Sequence, residues 1–565
     1  MSRESKESLS LDMIGIYPDH WKEMTLSDIC TQVTDGTHDS PKEVIDGYPL
    51  VTGKAIKNRR IDFSIPYNIS EEDHLKVISR SKAARNDILF ANIGNSIGDL
   101  VRVQSDLDFS IKNVALFKPD QRIVNPRFVE YYLFSTQVQE FIKNTTKGSA
   151  QPFIGLATLR GFPISVPPKC EQDYIVKLLG DLDDKIEINR QINQTLEFMA
   201  QAIFQSWFVD FDPVKAKIAA REQWQILTDE QRTEWLNELL NTQGSLKTCL
   251  LDLTAKAGLS DDEILQLDNS LNLISCRGHG PEGSESLDIG LNNLRKEWQS
   301  KIAGPALQSA SETLYLNIAA MTAISSRNET SLIDMPADEF AQLYKTASLF
   351  PERLVESELG EIPEGWRLDE LRKIAHFSTE RIDLSELTLE NYVSTENMLE
   401  HKKGITTASS LPTVKTVPKF EPGQILISNI RPYFMKIWLA SFVGGRSNDV
   451  LGINSKEPES IQYLYNLLYQ DRFFNFMMTT SKGAKMPRGD KEAIMSWLCV
   501  QPTFEIKNAY SEIVEKFVGI VVNNKKENKY LENARVILLP KLLSGEIDVS
   551  VLTALSDIVP AAMDV

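Results

Sequence analysis

From Glu171 to Phe208 the chain has no proline. Ile175, Leu178, Leu182, Ile192, Leu196, Met199 and Ile203 recur there on a 3,4 spacing, with Lys185 and Asn189 in the two gaps. That pattern predicts one long helix with a heptad seam. Towards the other end Tyr510, Ile513, Phe517, Ile520, Leu531, Ala534 and Leu538 repeat it, and Asn524 and Glu527 stand at the places of Asn189 and Ile192. An asparagine on a seam weakens packing but selects register, because a misaligned pairing buries its amide without a mate. The 38 residues from Glu171 to Phe208 span roughly 57 Å at 1.5 Å per residue, longer than a globule of this size needs. Taken singly, either seam fits core packing or homodimerisation. Two matched seams in one chain favour pairing with each other, since their effective concentration is high.

The seams belong to a longer duplication. IGIYPDHW (Ile14 to Trp21) is echoed by LGEIPEGW (Leu359 to Trp366), DILFANI (Asp87 to Ile93) by QILISNI (Gln424 to Ile430), and NTTKGSAQP (Asn144 to Pro152) by MTTSKGAKMP (Met478 to Pro487). An offset of 335 also carries Phe128 onto Tyr463, Leu133 onto Leu468, Phe141 onto Phe476 and Leu159 onto Ile494. Ahead of each long helix, β-branched runs punctuated by Gly, Asn and Pro, such as Gly47 to Ile56 and Thr413 to Ser428, read as a strand-rich α/β globule. The fold class predicted is α+β: two α/β globules related by pseudo-two-fold symmetry, two long helices, and a mostly helical insertion between the copies. The expected boundaries are 1–168 for the first globule, 169–212 for its helix and 213–350 for the connector with the insertion. The second globule then takes 351–503, its helix 504–545 and a tail 546–565.

With 565 residues the chain is too long for one core, and three or four structural units are expected. Its net charge of −17 argues against a surface that coats nucleic acid throughout, so any polyanion contact must be local. Thr31 to Arg160 holds 17 Lys or Arg against 15 Asp or Glu, net +2, and His401 to Asp490 holds 12 against 6, net +6. Phe211 to Phe350 is acidic, 12 against 20, net −8. Basic groups cluster at Lys54, Lys57, Arg59 and Arg60 and at Lys482, Lys485 and Arg488, either as a DNA-facing patch or as a solvated face. Tyr433, Phe434 and Trp438, near Arg431 and Lys436, read as core more readily than as stacking groups.

No apolar run reaches eighteen residues and Met1 to Asp12 lacks a signal peptide's apolar middle, so a soluble cytoplasmic protein without membrane contact is expected. Cys30, Cys170, Cys249, Cys276 and Cys499 are odd in number and widely spaced, which reads as reduced thiols packed as small core residues. The six histidines form no metal-binding pair and read as surface or turn residues, so no metal site is expected. Gly53 and Lys54 lack a phosphate-loop spacing, and no loop for S-adenosylmethionine or for amine methylation appears. The chain reads as non-catalytic.

The duplicated GxxPxxW, the TxGxxxP loops, TDGTHDSP (Thr34 to Pro41) and above all SWFVDFDPVKAK (Ser206 to Lys217), with LFPERLVESELGEIPEGW (Leu349 to Trp366), resemble the specificity subunit of type I restriction-modification enzymes over about 400 residues. The resemblance implies two target-recognition domains, each reading one half of a split double-stranded DNA site, and two helices paired antiparallel to hold the readers apart. It further implies modification subunits, two of them, carrying adenine methylation, and restriction subunits carrying translocase and nuclease. S-adenosylmethionine, ATP and Mg would then sit on those partners and no cofactor on this chain. Matched by position, Thr146 to Gln151 and Thr480 to Arg488 correspond to the family's TxG segment. Lys57, Arg59, Arg60, Lys147, Gln151, Arg431, Lys436, Lys482, Lys485 and Arg488 are the expected DNA contacts. Trp21 and Trp366 read as buried anchors.

About 130 residues between Lys217 and Phe350 depart from the family's shorter connector. They read as partly helical (Arg221 to Leu240), with a loop at Cys276 to Ser286, and fit either a tolerated surface insertion or an added partner-binding module. A stand-alone DNA methyltransferase and an acidic scaffold protein are the competing function classes.

Overall fold

The computed structural model describes residues 17–57, 59–145, 153–242, 305–483 and 485–549. They fall into two compact units, Met1–Gln191 with Asn523–Val565, and Ile192–Val522. The division cuts across both long helices, so each unit holds one globule and one half of each helix.

In the first unit Lys22–Thr25 pairs antiparallel with Pro163–Val166. A four-stranded sheet runs in the order Cys30–Asp35, Ala115–Pro119, Ile88–Phe90, Leu100–Arg102, and a three-stranded sheet joins Asn68–Ile69, Tyr48–Val51 and Ser110–Ile111. Strands such as ILF at 88–90 are buried on both faces, Ile88 and Phe90 among Phe128 and Tyr132 of the helical side and Leu89 among Val51 and Ile111 of the three-stranded sheet. Helix Pro126–Phe134 starts where Pro126 supplies a preset first turn and the Asn125 side chain accepts from the Arg127 amide. Phe90, Phe117, Phe128, Tyr132 and Ile164 fill the core with Leu179, Leu539 and Leu542 of the long helices.

The second unit repeats this plan. Arg367–Glu370 pairs with Leu498–Gln501, and the sheet order Ala375–Phe377, Val450–Ser455, Ile425–Ser428, Ile437–Leu439 matches the first four-stranded sheet. The helices Ile461–Tyr469, Asp471–Thr479 and Lys491–Met495 lie 335 residues after Pro126–Phe134, Thr136–Thr145 and Leu156–Arg160. The second unit also has a sheet of its own shape, Arg381–Asp383, Thr416–Phe420, Gly444–Arg446 and Tyr392–Val393.

The long helices span Lys169–Phe208 and Phe504–Leu543, 40 residues each. In the first unit they pair antiparallel, since Asp183 meets Arg535 while Asn189 meets Asn528. The seam differs from the expected one in phase. Leu182, Asn189, Leu196 and Ile203 keep their places, as do Phe517, Asn524, Leu531 and Leu538, at least half-buried. Except at Ala534, the alternate positions move one residue onward. Leu179, Ile186, Asn193 and Ala200 are buried in place of Leu178, Lys185, Ile192 and Met199, and Val514, Val521 and Asn528 in place of Ile513, Ile520 and Glu527. Met199 is 41% exposed and is corrected to a flank residue, with Ala200 on the seam. At Asn193, Ala200, Val514 and Val521 the seam takes the smaller or more polar neighbour, while the larger apolar Ile192, Met199, Ile513 and Ile520 sit beside it. At those four places scoring by hydrophobicity chose the wrong neighbour.

In the insertion, helices Asp212–Ile226, Asp229–Thr242, Pro305–Ser325, Glu329–Ile333 and Ala337–Ser348 are described, and they enclose a small core of Leu236, Leu314, Ile318, Met321, Phe340 and Tyr344. The expected loop at 276–286 lies outside the described residues, as do Cys249 and Cys276. Cys499 is buried, but Cys170 is exposed on the first turn of its helix, which corrects the reading of all cysteines as core. His74 is corrected too: it is buried, its ring 3.9 Å from Tyr48's and its Nδ1 2.9 Å from Ser110 Oγ.

Candidate nucleic-acid interface and helix pair

The second globule builds a basic hairpin after helix Asp471–Thr479. Lys482 and Arg488 exchange both backbone hydrogen bonds, at 2.9 and 3.0 Å, and Gly483 turns the chain at φ 97°. A side chain at that angle would be strained, which accounts for glycine in the TxG segment. Arg431 N donates to Pro487 O and Gly489 N to Asn429 O, tying the hairpin to the end of strand Ile425–Ser428. Lys482, Lys485 and Arg488 are exposed on it. Lys482 pairs with Asp490 at 2.5 Å and Arg488 with Asp449 at 3.2 Å. Hydrogen bonding to Lys482 holds the Asp490 carboxyl below its ordinary range. Exposed pairs of this kind are worth little and exchange readily for a phosphate.

The remaining expected contacts divide sharply. Lys57 is exposed beside the turn to Arg60. Lys436 is half-buried, its ammonium donating to the Thr395 carbonyl at 2.9 Å beside the Phe434 ring. Arg431 adopts a left-handed backbone at φ 50°, and its buried Nε has no partner among the described residues. Lys147 and Gln151 lie outside the described residues.

Arg59 turns away from solvent towards the first long helix, whereas Arg60 stays exposed and only reaches that helix at its edge. Arg59 donates to Glu130 at 3.0 Å and to Asp183 at 2.7 Å, with its guanidinium 4.9 Å from the Tyr131 ring centre. Arg60 pairs with Glu187. Arg535 of the second helix and the Tyr131 hydroxyl also donate to Asp183, at 2.5 and 2.7 Å. Arg102 donates to Glu130 at 3.3 Å. Burial alone would raise the Asp183 carboxyl, but Arg59, Tyr131 and Arg535 together hold it below its ordinary value. Arg127 completes the cluster by bridging Asp184 and the Gly180 carbonyl, and a Cβ at Gly180 would come within 2.8 Å of its guanidinium. Arg59 is therefore a structural tie, because its guanidinium is already committed to two carboxylates.

Along the helix pair Asn189 Nδ2 donates to Asn528 Oδ1 at 2.9 Å and to Glu527 at 2.7 Å, and Arg190 pairs with Glu532 at 2.8 Å. The expected polar selector is present, with Asn528 as the mate of Asn189. Several large apolar side chains face outward, among them Phe198 on the first helix and Tyr530, Val536 and Ile537 on the second.

Residues 18–198 match the family described as the type I restriction modification DNA specificity domain. The sequence is 26% identical to the type I restriction enzyme HindI specificity subunit of Haemophilus influenzae over 93% of this chain and 99% of that protein. Residues 18–198 thus carry the DNA specificity domain, and along nearly its whole length the chain is similar to a type I specificity subunit. The EcoBI specificity subunit of Escherichia coli is 29% identical over 188 residues, 32% of this chain and 39% of that protein. The crystal structure of the type I system S subunit from M. genitalium is 13% identical, with a TM-score of 0.40 over 96% of this chain and 98% of that one, a likeness too loose to build on.

The ties of the first globule were hard to foresee. Glu130, Asp183, Arg102 and Arg535 are scattered over some 430 residues, and charge in a run reads as solvated until a partner is seen. Their one sequence signal is a carboxylate one residue past a seam position, Asp183 beside Leu182. No helix among the described residues is long and apolar enough to cross a membrane.

Proposed function

We propose that each globule reads one half of a bipartite DNA site and that the two long helices carry the docking surfaces for modification subunits, two in number. The observation that supports this best is the duplication itself, with the same strand order, the same strand register and helices at one fixed offset in both globules. Lys57 in the first globule and Lys482, Lys485 and Arg488 in the second contact phosphates, which gives affinity and position. Side chains at base edges choose the sequence. The outward apolar side chains of the helices, Phe198 and Tyr530 among them, suit a partner's helices. Methyl transfer from S-adenosylmethionine takes place on the modification subunits. ATP- and Mg-dependent translocation and cleavage belong to restriction subunits. Partner surfaces supply the phosphate neutralisation that a chain of net charge −17 lacks.

Methylome sequencing of cells carrying this chain with its modification subunits tests the reading. Two short half-sites about one helical turn apart, each altered separately when one globule is exchanged, are expected. A single contiguous motif, or methyl transfer by the purified chain alone, would overturn it. Within the assembled complex, Lys485→Ala is expected to lower the slope of log affinity against log salt by about 1 without changing the methylated motif.

A further inference from the structure

The strand after each GxxPxxW faces the strand before each long helix in one register. Lys22 is opposite Val166 and Arg367 opposite Gln501. Trp21 and Trp366, one residue earlier, therefore occupy equivalent places. Trp21 Nε1 donates to Glu171 Oε2 at 3.0 Å, and His20 Nε2 lies 3.0 Å from the other oxygen of that carboxylate. The residue 335 after Glu171 is Ile506, which is fully buried. Trp366 is as deeply placed as Trp21, at 5% exposure against 7%, yet its Nε1 has no hydrogen-bond partner among the described residues. A buried N–H left unpaired costs about 1–3 kcal/mol, so the second unit keeps a donor that its own chain does not satisfy.

That indole lines a cleft of about 520 Å³ together with Arg221, Phe350, Glu352, Arg353 and Glu364. Arg221 pairs with Glu352, and Arg353 donates to Glu364 at 2.8 Å. The second pair is solvent-exposed on both sides, with side-chain exposures of 69% and 45%, and so can open at little cost. Lys217 adds a cationic group behind Phe350, its amine donating to the Phe350 carbonyl at 2.7 Å. The cleft has the size of a small-ligand site, and two arginines stand among its lining residues with the indole.

We infer that the Trp366 cleft binds a carboxylate, the group that Glu171 supplies to the equivalent indole within the first unit, with Arg353 leaving Glu364 to serve as its counter-charge. The carboxylate can arrive on a small organic acid or on an acidic side chain of another polypeptide. Both present the same planar pair of acceptors, which an arginine fork and an indole N–H recognise together.

Indole ¹⁵N–¹H spectra of the full chain test this, with Trp366→Phe assigning the signal. Sodium glutamate and a short Glu-rich peptide are added separately, against sodium phosphate and sodium chloride at matched ionic strength. The Trp366 signal is expected to move saturably with either carboxylate, while that of Trp21 stays still because Glu171 already holds it. Arg353→Gln, a change at an exposed side chain that leaves the fold intact, is expected to weaken the response about tenfold. Tighter binding of the peptide assigns the site to a polypeptide partner, and equal or tighter binding of glutamate assigns it to a free acid. A Trp366 signal indifferent to both carboxylates, or one that moves equally with phosphate or chloride, overturns the inference.

Discussion

The two units solve one structural problem, fixing a globule to a helix, with opposite chemistry. In the first, Arg59, Arg102, Arg127 and Arg535 converge on Glu130, Asp183 and Asp184 around Tyr131. In the second, Phe204, Trp207 and Phe208 meet Tyr463, Tyr510 and Trp366 edge to face or tilted, with ring centres 4.9 to 6.0 Å apart. The offset of 335 puts Val518 where Asp183 stands and Tyr465 where Glu130 stands, so the backbone plan is conserved between the copies while its fastening is not. An aromatic junction tolerates small shifts and gains from area. A buried ionic junction is directional, costs desolvation, and holds only while every partner is present. Shared topology thus does not imply shared energetics.

The contrast is most severely tested by truncation. Phe208→Ala removes five ring contacts from a nearly inaccessible place and is expected to destabilise the second unit by about 3–5 kcal/mol, read as lost hydrogen-exchange protection there with the first unit unchanged. Asp183→Ala takes one of two carboxylates from Arg59 and leaves Arg535 and the Tyr131 hydroxyl without this partner, and is expected to cost about 3 kcal/mol in the first unit. Urea unfolding followed by exchange would show the loss confined to that unit.

The same carboxylate gives a pH signature. Its folded value lies below the unfolded one, so its contribution is present above a pH of about 4 and is lost as pH falls through the folded value. In an acid titration the wild-type first unit should therefore weaken below about pH 4, whereas Asp183→Asn, destabilised at neutral pH, should show a flatter acid limb. Equal acid limbs in the two proteins would show that Asp183 is not the group that titrates.

Smaller effects sharpen the seam. Ala200→Met overpacks a buried position and is expected to cost about 1–3 kcal/mol, while Met199→Ala, one residue away on the flank, should stay within about 0.5 kcal/mol. A reversal of that order would restore the phase expected from hydrophobicity. Asn189→Leu leaves Asn528 without its mate and is expected to cost about 1 kcal/mol. The double change Asn189→Leu with Asn528→Leu should recover that stability but loosen register, visible as helix sliding in cross-linking.

Much of the architecture was legible because it is repetitive. Periodicity of 3.5 residues marks a long helix wherever it occurs, and the copies of GxxPxxW and TxKG mark the duplication without any contact being known. Asn189 and Asn524 were recognisable as seam residues for the same reason. The candidate DNA residues were read from local charge, which cannot tell a cation facing solvent from one facing a carboxylate 124 residues further on. Lys482 and Arg59 look alike in sequence, yet one lies on an open hairpin and the other is held by Glu130 and Asp183.

By itself, then, the sequence determined that the protein is built twice, each time as a strand-rich globule leading into one long helix. Such features follow from local spacing and from identity between segments. Only the tertiary structure decided which face of each helix became the seam, which arginines were spent as ties, and which of two equivalent tryptophans kept its donor unpaired. Those outcomes depend on groups far apart in the chain being brought within hydrogen-bond distance, and no local pattern encodes where burial will leave a charge or an N–H its partner.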